Sequence, residues 1–328
     1  MNILMVCKGV LPPVTYGGTE RVVWGLVKAL HQLGHNVFIL NPNKVECGDF
    51  AKSIRQNLNI PIDEQIPPGI DIVHFHTGGQ TKTKPFVVTQ HGNNLVSENT
   101  KPNTIFVSER HAINHGCNSY VYNGLDWSDY NEPNLKGIRK GGRYHFLGKA
   151  AWKVKNVKGA IAITKKSQTK LDVLGGTRIN FKMGFRFTFN RHVKFHGMVN
   201  NAKKCNILQN SNGLIFPITW EEPFGLAVIE SLFMGTPVFA TPYGSLPELV
   251  SNPDLGILSN VEDELADAIK YNSYLPYRCH EYAREYFDHL SMAKEYIKYY
   301  ERAISGQRLN SVSTQKNNRL KNLPYHKN

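Results

Sequence analysis

Short apolar runs alternate with amphipathic stretches along most of this chain. Residues 2–6 are almost continuously apolar and predict a buried strand. From Thr19-Glu20 onward, Val22, Val23, Leu26, Val27 and Leu30 recur at helical spacing, and Gly34 ends the run. Strand patterns follow at 36–40, 70–75, 86–89, 104–107 and 120–122. Pro133 and the glycine-rich basic segments near it mark a linker at 131–143. A second series has strands at 144–148, 171–174, 193–196, 213–216 and 238–241, with helices at 160–170 and 201–208. Helices at 282–287 and 292–304 close the ordered part. This alternation predicts an α/β protein with parallel sheets. The expected division is a first domain over 1–130, a second over 144–280, returning helices over 281–304, and a basic disordered tail over 305–328. No internal repeat is visible.

Length and composition agree with this plan. The 328 residues suffice for two domains, and 41% hydrophobic with 20% charged residues describes a soluble globular protein. No apolar run approaches the roughly 20 residues that span a bilayer. The start lacks the charge and cleavage pattern of a signal peptide, so none is expected. Cys7, Cys47, Cys117, Cys205 and Cys279 are scattered and form no CxxC or zinc spacing, which points to a reduced, cytoplasmic compartment. The formal charge of +13 is uneven: residues 133–194 hold sixteen Lys or Arg against the single acid Asp172. Such a field attracts phosphates, anionic lipid or nucleic acid, although most of these lysines read as a solvated face. No RNA-recognition, helix-turn-helix or zinc-finger pattern accompanies it, so nucleic acid is not an expected partner. An anionic membrane surface, at the inner face of the plasma membrane, stays open as a partner.

The richest stretch is Trp220-Glu221-Glu222-Pro223-Phe224-Gly225-Leu226-Ala227-Val228-Ile229-Glu230. Phe224-Gly225-Leu226 opens a helix and Gly235-Thr236-Pro237 closes it. Glu222 then sits in the loop before the helix and Glu230 about two turns down. The unbonded N–H groups at the helix start suit a phosphate. Carboxylates on either side suit the hydroxyls of a sugar and a ribose. A bare pair of glutamates at this spacing also fits an ordinary charged helix face.

The block from Glu222 to Glu230 resembles the E-x7-E signature of retaining GT-B glycosyltransferases, specifically glycosyltransferase family 4 (group 1). Gly235-Thr236-Pro237-Val238-Phe239-Ala240 and Gly244-Ser245-Leu246-Pro247-Glu248 extend the resemblance. It implies two Rossmann-like domains facing a central cleft, the first for the acceptor and the second for the nucleotide-sugar donor, with a C-terminal helix crossing back to the first domain. It also implies a nucleotide-sugar donor, a saccharide or lipid-linked acceptor, and no metal or other cofactor. Asn123-Gly124-Leu125-Asp126 resembles the family's interdomain segment. The chain is short for the family, and its 71–123 region is compressed.

Other residues gain roles from this resemblance. Gly17 and Gly18, in Tyr16-Gly17-Gly18-Thr19-Glu20, permit close backbone approach at a helix N-terminus. A tight turn with Thr19 as N-cap reads equally well. In the family a Gly-Gly loop faces donor phosphate or acceptor. His91 follows a strand end, where open α/β sheets bind ligands, and resembles the family's active-site histidine. His74 and His76 share a strand face but lack a third ligand of matching spacing, so they read as core and loop histidines. Lys149 and Lys155 resemble the basic pair that clamps the diphosphate; whether Lys149 or Lys153 fills the usual arginine position stays open. Met198 falls where the family's backbone holds the base. Ser245 and Leu246 offer amides to the phosphates.

The implied reaction is hexose transfer with retention, UDP-sugar favoured over GDP-sugar, in cell-surface polysaccharide or lipopolysaccharide synthesis. Glu222, His91 and Lys155 would act at the reacting centre. Gly17, Gly18, Lys149, Met198, Phe224, Gly225, Leu226, Glu230 and Ser245 would hold the donor. A catalytically degenerate GT-B scaffold for polyanions or membranes is the alternative of a different class.

Overall fold

In the computed structural model, residues 1–13, 17–76, 78–136, 142–181, 185–271, 273–311 and 322–327 are described. The apolar run at the start forms β1 (Asn2–Val6), buried from Ile3 onward. α1 (Gly18–Gln32) buries the expected stripe. Its N-cap is Gly17, not Thr19, and no side chain caps it. β2 (Asn36–Asn41) lies parallel to β1, with Ile3 beside Val37 and Met5 beside Ile39. β3 (Lys52–Arg55), β4 (Ile72–Phe75), β5 (Phe86–Gln90) and β6 (Thr104–Phe106) complete a six-stranded sheet in the order β3-β2-β1-β4-β5-β6. Leu4, Val6, Leu40, Ile70, Val73, Phe75 and Val88 form a core on it. A short helix α2 (Glu109–Ile113) comes next, capped by Ser108 Oγ accepting from the His111 amide at 3.1 Å. The strand expected at 120–122 is only a bridge between Phe106 and Tyr120. Asn123-Gly124 cuts the run short before a ladder can extend.

The second unit repeats the plan. Its elements are β7 (Arg143–Leu147), α3 (Val157–Lys166), β8 (Lys170–Leu174), the antiparallel pair β9 (Ile179–Asn180) and β10 (Arg186–Phe187), β11 (Val193–Phe195), α4 (Asn201–Gln209) and β12 (Leu214–Phe216). They continue with α5 (Leu226–Phe233), β13 (Val238–Ala240), α6 (Leu246–Leu249), β14 (Gly256–Leu258), α7 (Glu262–Lys270) and α8 (Pro276–Tyr286). The parallel sheet runs β11-β8-β7-β12-β13-β14. α3 starts earlier than expected because Asn156 caps it, with Oδ1 accepting from the Gly159 amide at 3.0 Å. It ends at Lys166, and Gln168 then turns left-handed at φ 57°.

α9 (His289–Ile304) packs on α1, β4 and β5. By contacts, residues 1–127 and 287–319 form one unit, and 128–286 with 320–328 the other. Of the two helices expected to return, only the second joins the first unit; the other is the end of α8, which packs on α5. The return is made at Gly124-Leu125. Leu125 donates to the Phe287 carbonyl at 2.9 Å and accepts from the His289 amide at 3.1 Å. A Cβ on Gly124 would meet the Asp288 carbonyl oxygen at 2.3 Å, so the close pairing requires glycine.

The expected disorder of the tail needs correction where the tail is described. Asn310 is buried and donates to the carbonyls of Thr104 at 2.6 Å and Lys101 at 3.1 Å. Leu323 donates to the Thr219 carbonyl at 2.9 Å, and His326 to that of Asn260 at 2.8 Å. Polar composition suggested a solvated coil; the Asn310 side-chain amide and the Leu323 and His326 backbone amides instead fix these stretches. Residues 312–321 and 328, and 137–141 of the expected linker, lie outside the described residues. No helix among the described residues is long and apolar enough to cross a membrane.

Candidate active site

The parallel strands of the second unit all end at one edge, and the loops leaving β7, β12 and β13 are tied together there. Thr219 donates to the Val154 carbonyl at 2.8 Å, and Asn156 Nδ2 to that of Pro217 at 2.8 Å. Thr241 Oγ1 donates to the Ile218 carbonyl at 2.6 Å. These bonds bring Lys155 to Glu222. Lys155 Nζ donates to Glu222 Oε2 at 2.5 Å, and Trp220 Nε1 donates to the same oxygen at 2.8 Å. The ammonium also lies 5.0 Å from the Phe216 ring centre and 4.9 Å from that of Trp220. A cation between two rings and a carboxylate has a nearly fixed position. Lys155 and Glu222 are both mostly buried.

Glycines fix the glutamate loop. Gly225, at φ 98°, is the left-handed N-cap of α5. Leu226 opens the helix, and Phe224 is buried before it. A Cβ on Gly244 would fall 2.2 Å from the Glu222 nitrogen, so only glycine lets the β13 loop lie against this backbone. The Gly244 amide donates to Glu221 Oε2 at 2.9 Å. The Ser245 amide donates to the Glu222 carbonyl at 3.0 Å, and its hydroxyl donates to the Phe224 carbonyl. The expectation that the Ser245 amide faces a phosphate is therefore corrected. Its hydrogen bonds fasten the Glu222 loop.

Glu230 lies inside the unit, with no exposed surface. Its Oε1 accepts from Lys204 Nζ and, at 2.6 Å, from the Tyr130 hydroxyl. Lys204 also lies 4.8 Å from the Tyr130 ring centre. The expected open seat for a ribose is thus filled by a tyrosine hydroxyl, because a buried carboxylate needs a countercharge and donors. Sequence reasoning missed both partners. Lys204 carried a signal, since it lies four residues before Leu208 on the buried face of α4. Tyr130 carried none.

The remaining basic candidates are solvent-facing. Lys149 is exposed just beyond β7, with its Nζ 5.2 Å from the Trp152 ring centre. Lys153 is exposed on the turn before Lys155. Met198 is 65% exposed after β11. Two residues before Met198, His196 Nε2 pairs with Asp172 at 2.7 Å, and Asp172 also accepts from Arg143 at 2.5 and 2.7 Å.

In the first unit the candidate residues lie at the ends of β1, β4 and β5. Gly17 and Gly18 open α1, and Glu20 folds back over Gly17, leaving 2.5 Å between its Oε2 and a Cβ placed there. Tyr16 lies outside the described residues. His91 Nε2 pairs with His76 Nδ1 at 3.1 Å. His74 Nδ1 pairs with the Tyr300 hydroxyl at 2.7 Å and its Nε2 with Thr89 Oγ1 at 2.7 Å; Thr89 in turn meets the Tyr296 hydroxyl at 3.0 Å. His111 Nε2 pairs with the Gly92 carbonyl at 3.2 Å and supports the loop after His91. Burial lowers His91 to about 4. Burial, with His115 adding to it, lowers His111 to about 3. His74 and His76 are held well below their ordinary value by burial and by neighbouring histidines. Burial also raises the Tyr296 and Tyr300 hydroxyls. These buried histidines and tyrosines are uncharged at neutral pH. Among the described residues no group of three or more His, Cys, Asp or Glu side chains is placed to hold a metal ion.

Comparison with known proteins fits this geometry. Residues 142–271 match the family model of glycosyl transferases group 1. An uncharacterized 41.2 kDa protein in the cps region of Klebsiella pneumoniae is 31% identical over 116 residues, which cover 33% of this chain and 32% of that protein. The matched stretch thus spans about a third of that relative's length. AviGT4, a glycosyltransferase involved in avilamycin A biosynthesis, superposes with a TM-score of 0.75 at 20% identity, covering 93% of this chain and 98% of its own. The lipopolysaccharide outer core galactosyltransferase WaaB gives 0.64 at 14% identity, covering 93% and 99%. Anabaena Alr3699/HepE in complex with UDP and glucose gives 0.62 at 15%, covering 90% and 98%. With two six-stranded parallel sheets in two α/β units, the fold is GT-B.

Proposed function

We propose that this protein is a retaining glycosyltransferase of family 4. In this reading it moves a hexose from a nucleotide diphosphate sugar, UDP-linked in preference to GDP-linked, to a saccharide or lipid-linked saccharide. The observation that carries this is the Lys155–Glu222 pair, held at 2.5 Å beside the N-terminus of α5. A cation, a carboxylate and the first amides of a helix within one loop cluster suit a sugar attached to a leaving diphosphate. The match to the group 1 model and the cps-region relative support a role in cell-surface polysaccharide or lipopolysaccharide synthesis. The protein would work in the cytoplasm without a metal or other cofactor.

The donor's bond from the anomeric carbon to the phosphate oxygen breaks, and the bond to the acceptor oxygen forms on the same face. The acceptor proton passes to the departing phosphate. Lys155, Lys149 and the amides of Gly225 and Leu226 stabilise the growing negative charge. Phe224 holds that turn in place. Glu222 accepts from a donor-sugar hydroxyl. Glu230 accepts from the ribose once a ribose hydroxyl replaces that of Tyr130 on Oε1. The backbone at Met198 receives the base. His91 enters as a neutral imidazole that orients the sugar or the incoming hydroxyl, and the turn at Gly17 and Gly18 takes the ligand once the Glu20 side chain moves off Gly17. A thermal-shift panel of UDP, GDP and their hexose conjugates tests the reading, followed by transfer assays with the stabilising donor. UDP-sugars should raise the melting temperature of the wild type and not of Glu230→Ala. If a folded wild type responds to no nucleotide, the reading fails.

A further inference from the structure

The β9–β10 hairpin of the second unit exposes apolar side chains that nothing in the proposed chemistry uses. Phe181 is 78%, Phe185 70% and Phe189 81% exposed, with Ile179 and Phe187 partly so. Ile179 and Phe187 lie opposite each other in the antiparallel pair and share one face of it, and Phe181, Phe185 and Phe189 each lie two positions from one of them. Their rings pair with each other: Phe181 with Phe185 at 5.7 Å and Phe187 with Phe189 at 4.1 Å. The hairpin is nevertheless anchored. The Arg178 guanidinium donates to the carbonyls of Thr188 at 3.1 Å, Asn190 at 3.2 Å and Val193, and lies over the Phe195 ring. An anchored segment that turns phenylalanines to water marks a contact surface.

The charge around it selects the partner. No acidic residue occurs between Asp172 and Glu221, and exposed Arg191 and Lys194 come directly after the aromatic row. We propose that this hairpin docks the protein on an anionic lipid bilayer. Phe181, Phe185 and Phe189 enter the boundary between headgroups and acyl chains, and Arg191 and Lys194 meet lipid phosphates. A carbohydrate platform fits less well. Phenylalanine offers no hydrogen-bonding group to a sugar, and the rings meet at 47° and 78° instead of forming a flat face. The inference is independent of the transfer reaction.

The test is co-sedimentation with vesicles of phosphatidylcholine containing phosphatidylglycerol, against pure phosphatidylcholine. The wild type should pellet with the anionic vesicles only, and less in high salt. Phe181→Ser/Phe185→Ser/Phe189→Ser should bind at least about tenfold more weakly. Its melting temperature and nucleotide response should be unchanged, since these side chains are exposed. Arg191→Glu/Lys194→Glu should weaken binding by about tenfold or more as well. The proposal is overturned if the wild type ignores anionic vesicles or if the triple variant binds them equally well. Self-association or saccharide binding that depends on the phenylalanines, without vesicle binding, also overturns it and names a second copy or a sugar as the occupant.

Discussion

In the first unit, His76 and His91 sit against His74, Thr89, Tyr296 and Tyr300, and burial keeps that corner uncharged. In the second, the same kind of parallel sheet carries opposite charges in contact: Lys155 with Glu222, Lys204 with Glu230, Arg143 with Asp172. One sheet plan thus supports two electrostatic environments, and the difference lies in the loops and helices attached to the strand ends. A neutral corner can orient a hydroxyl without attracting ions. A charged corner can receive a phosphate, because its lysines are already placed and need little reorganisation. This division can be tested through each unit's own residues.

The largest effect belongs to the charged unit. Glu222→Gln keeps the shape but removes the charge opposite Lys155, and transfer should fall about 10²–10³-fold in kcat; melting falls too, because the mostly buried Lys155 loses its countercharge, so activity is read per folded protein. Full activity in a purified, folded Glu222→Gln protein would remove Glu222 from the site. Lys204→Met leaves the Glu230 carboxylate buried with its cation gone and should cost about 3–5 kcal/mol of stability in urea unfolding. Adding Glu230→Gln should restore much of that loss. If Lys204→Met is neutral, the pair is not what holds α4 to α5.

The sequence displayed some of this and hid the rest for identifiable reasons. β1, β4, β5, β12 and β13 were legible because central parallel strands are apolar on both faces. β3 was not, because Lys52-Ser53-Ile54-Arg55 is a polar, mostly exposed edge strand. The Glu222 block was legible through its glycine and proline punctuation, and the fastening by Ser245 was not, because it depends on a loop more than twenty residues away folding onto Gly244. His74 and His76 were correctly given one strand face. The partners that set their roles, Tyr300 and His91, come from elsewhere in the chain, and periodicity does not report them. The alternating phenylalanines of the β9–β10 hairpin were visible as letters but lay between stronger patterns, and no strand was assigned there.

Acid should separate the units in a second way. The buried histidines of the first unit have folded pKa values below the ordinary 6.5, with His111 near 3 and His91 near 4. As pH falls, the unfolded chain takes up their protons first, so their contribution is fully present above about pH 6.5 and drains away below it. For His111 alone the loss at pH 5 is about 2 kcal/mol relative to pH 7. In the second unit, burial pulls the Asp172 carboxyl up, yet Arg143 and His196 hold it below its ordinary 3.8. That contribution survives until pH falls below 3.8. Its His192 is also lowered by burial but is partly exposed. Amide exchange resolved by unit, at pH 7 and pH 5, should show protection lost first around β4, β5 and α9. Earlier loss around β7, β8 and β12 would reverse the comparison.

The smallest effect is the most discriminating, because it tests the neutral network by one atom. The bonds from Tyr300 through His74 and Thr89 to Tyr296 run through consecutive donors and acceptors, so their protons can point one way or all the other way. Tyr300→Phe removes the terminal hydroxyl and leaves His74 Nδ1 alone. The imidazole can then keep its proton on Nε2, where Thr89 accepts it, and only a bare acceptor is left at Nδ1. An unmet acceptor on a neutral ring costs less than an unmet charge, so the loss should be about 1 kcal/mol, at the low end for a buried hydrogen bond. The same measurement on Lys204→Met should give several times that. If urea unfolding finds the two losses equal, then the tyrosine is supporting a charged histidine, and this network is not the neutral counterpart of the charged corner in the second unit.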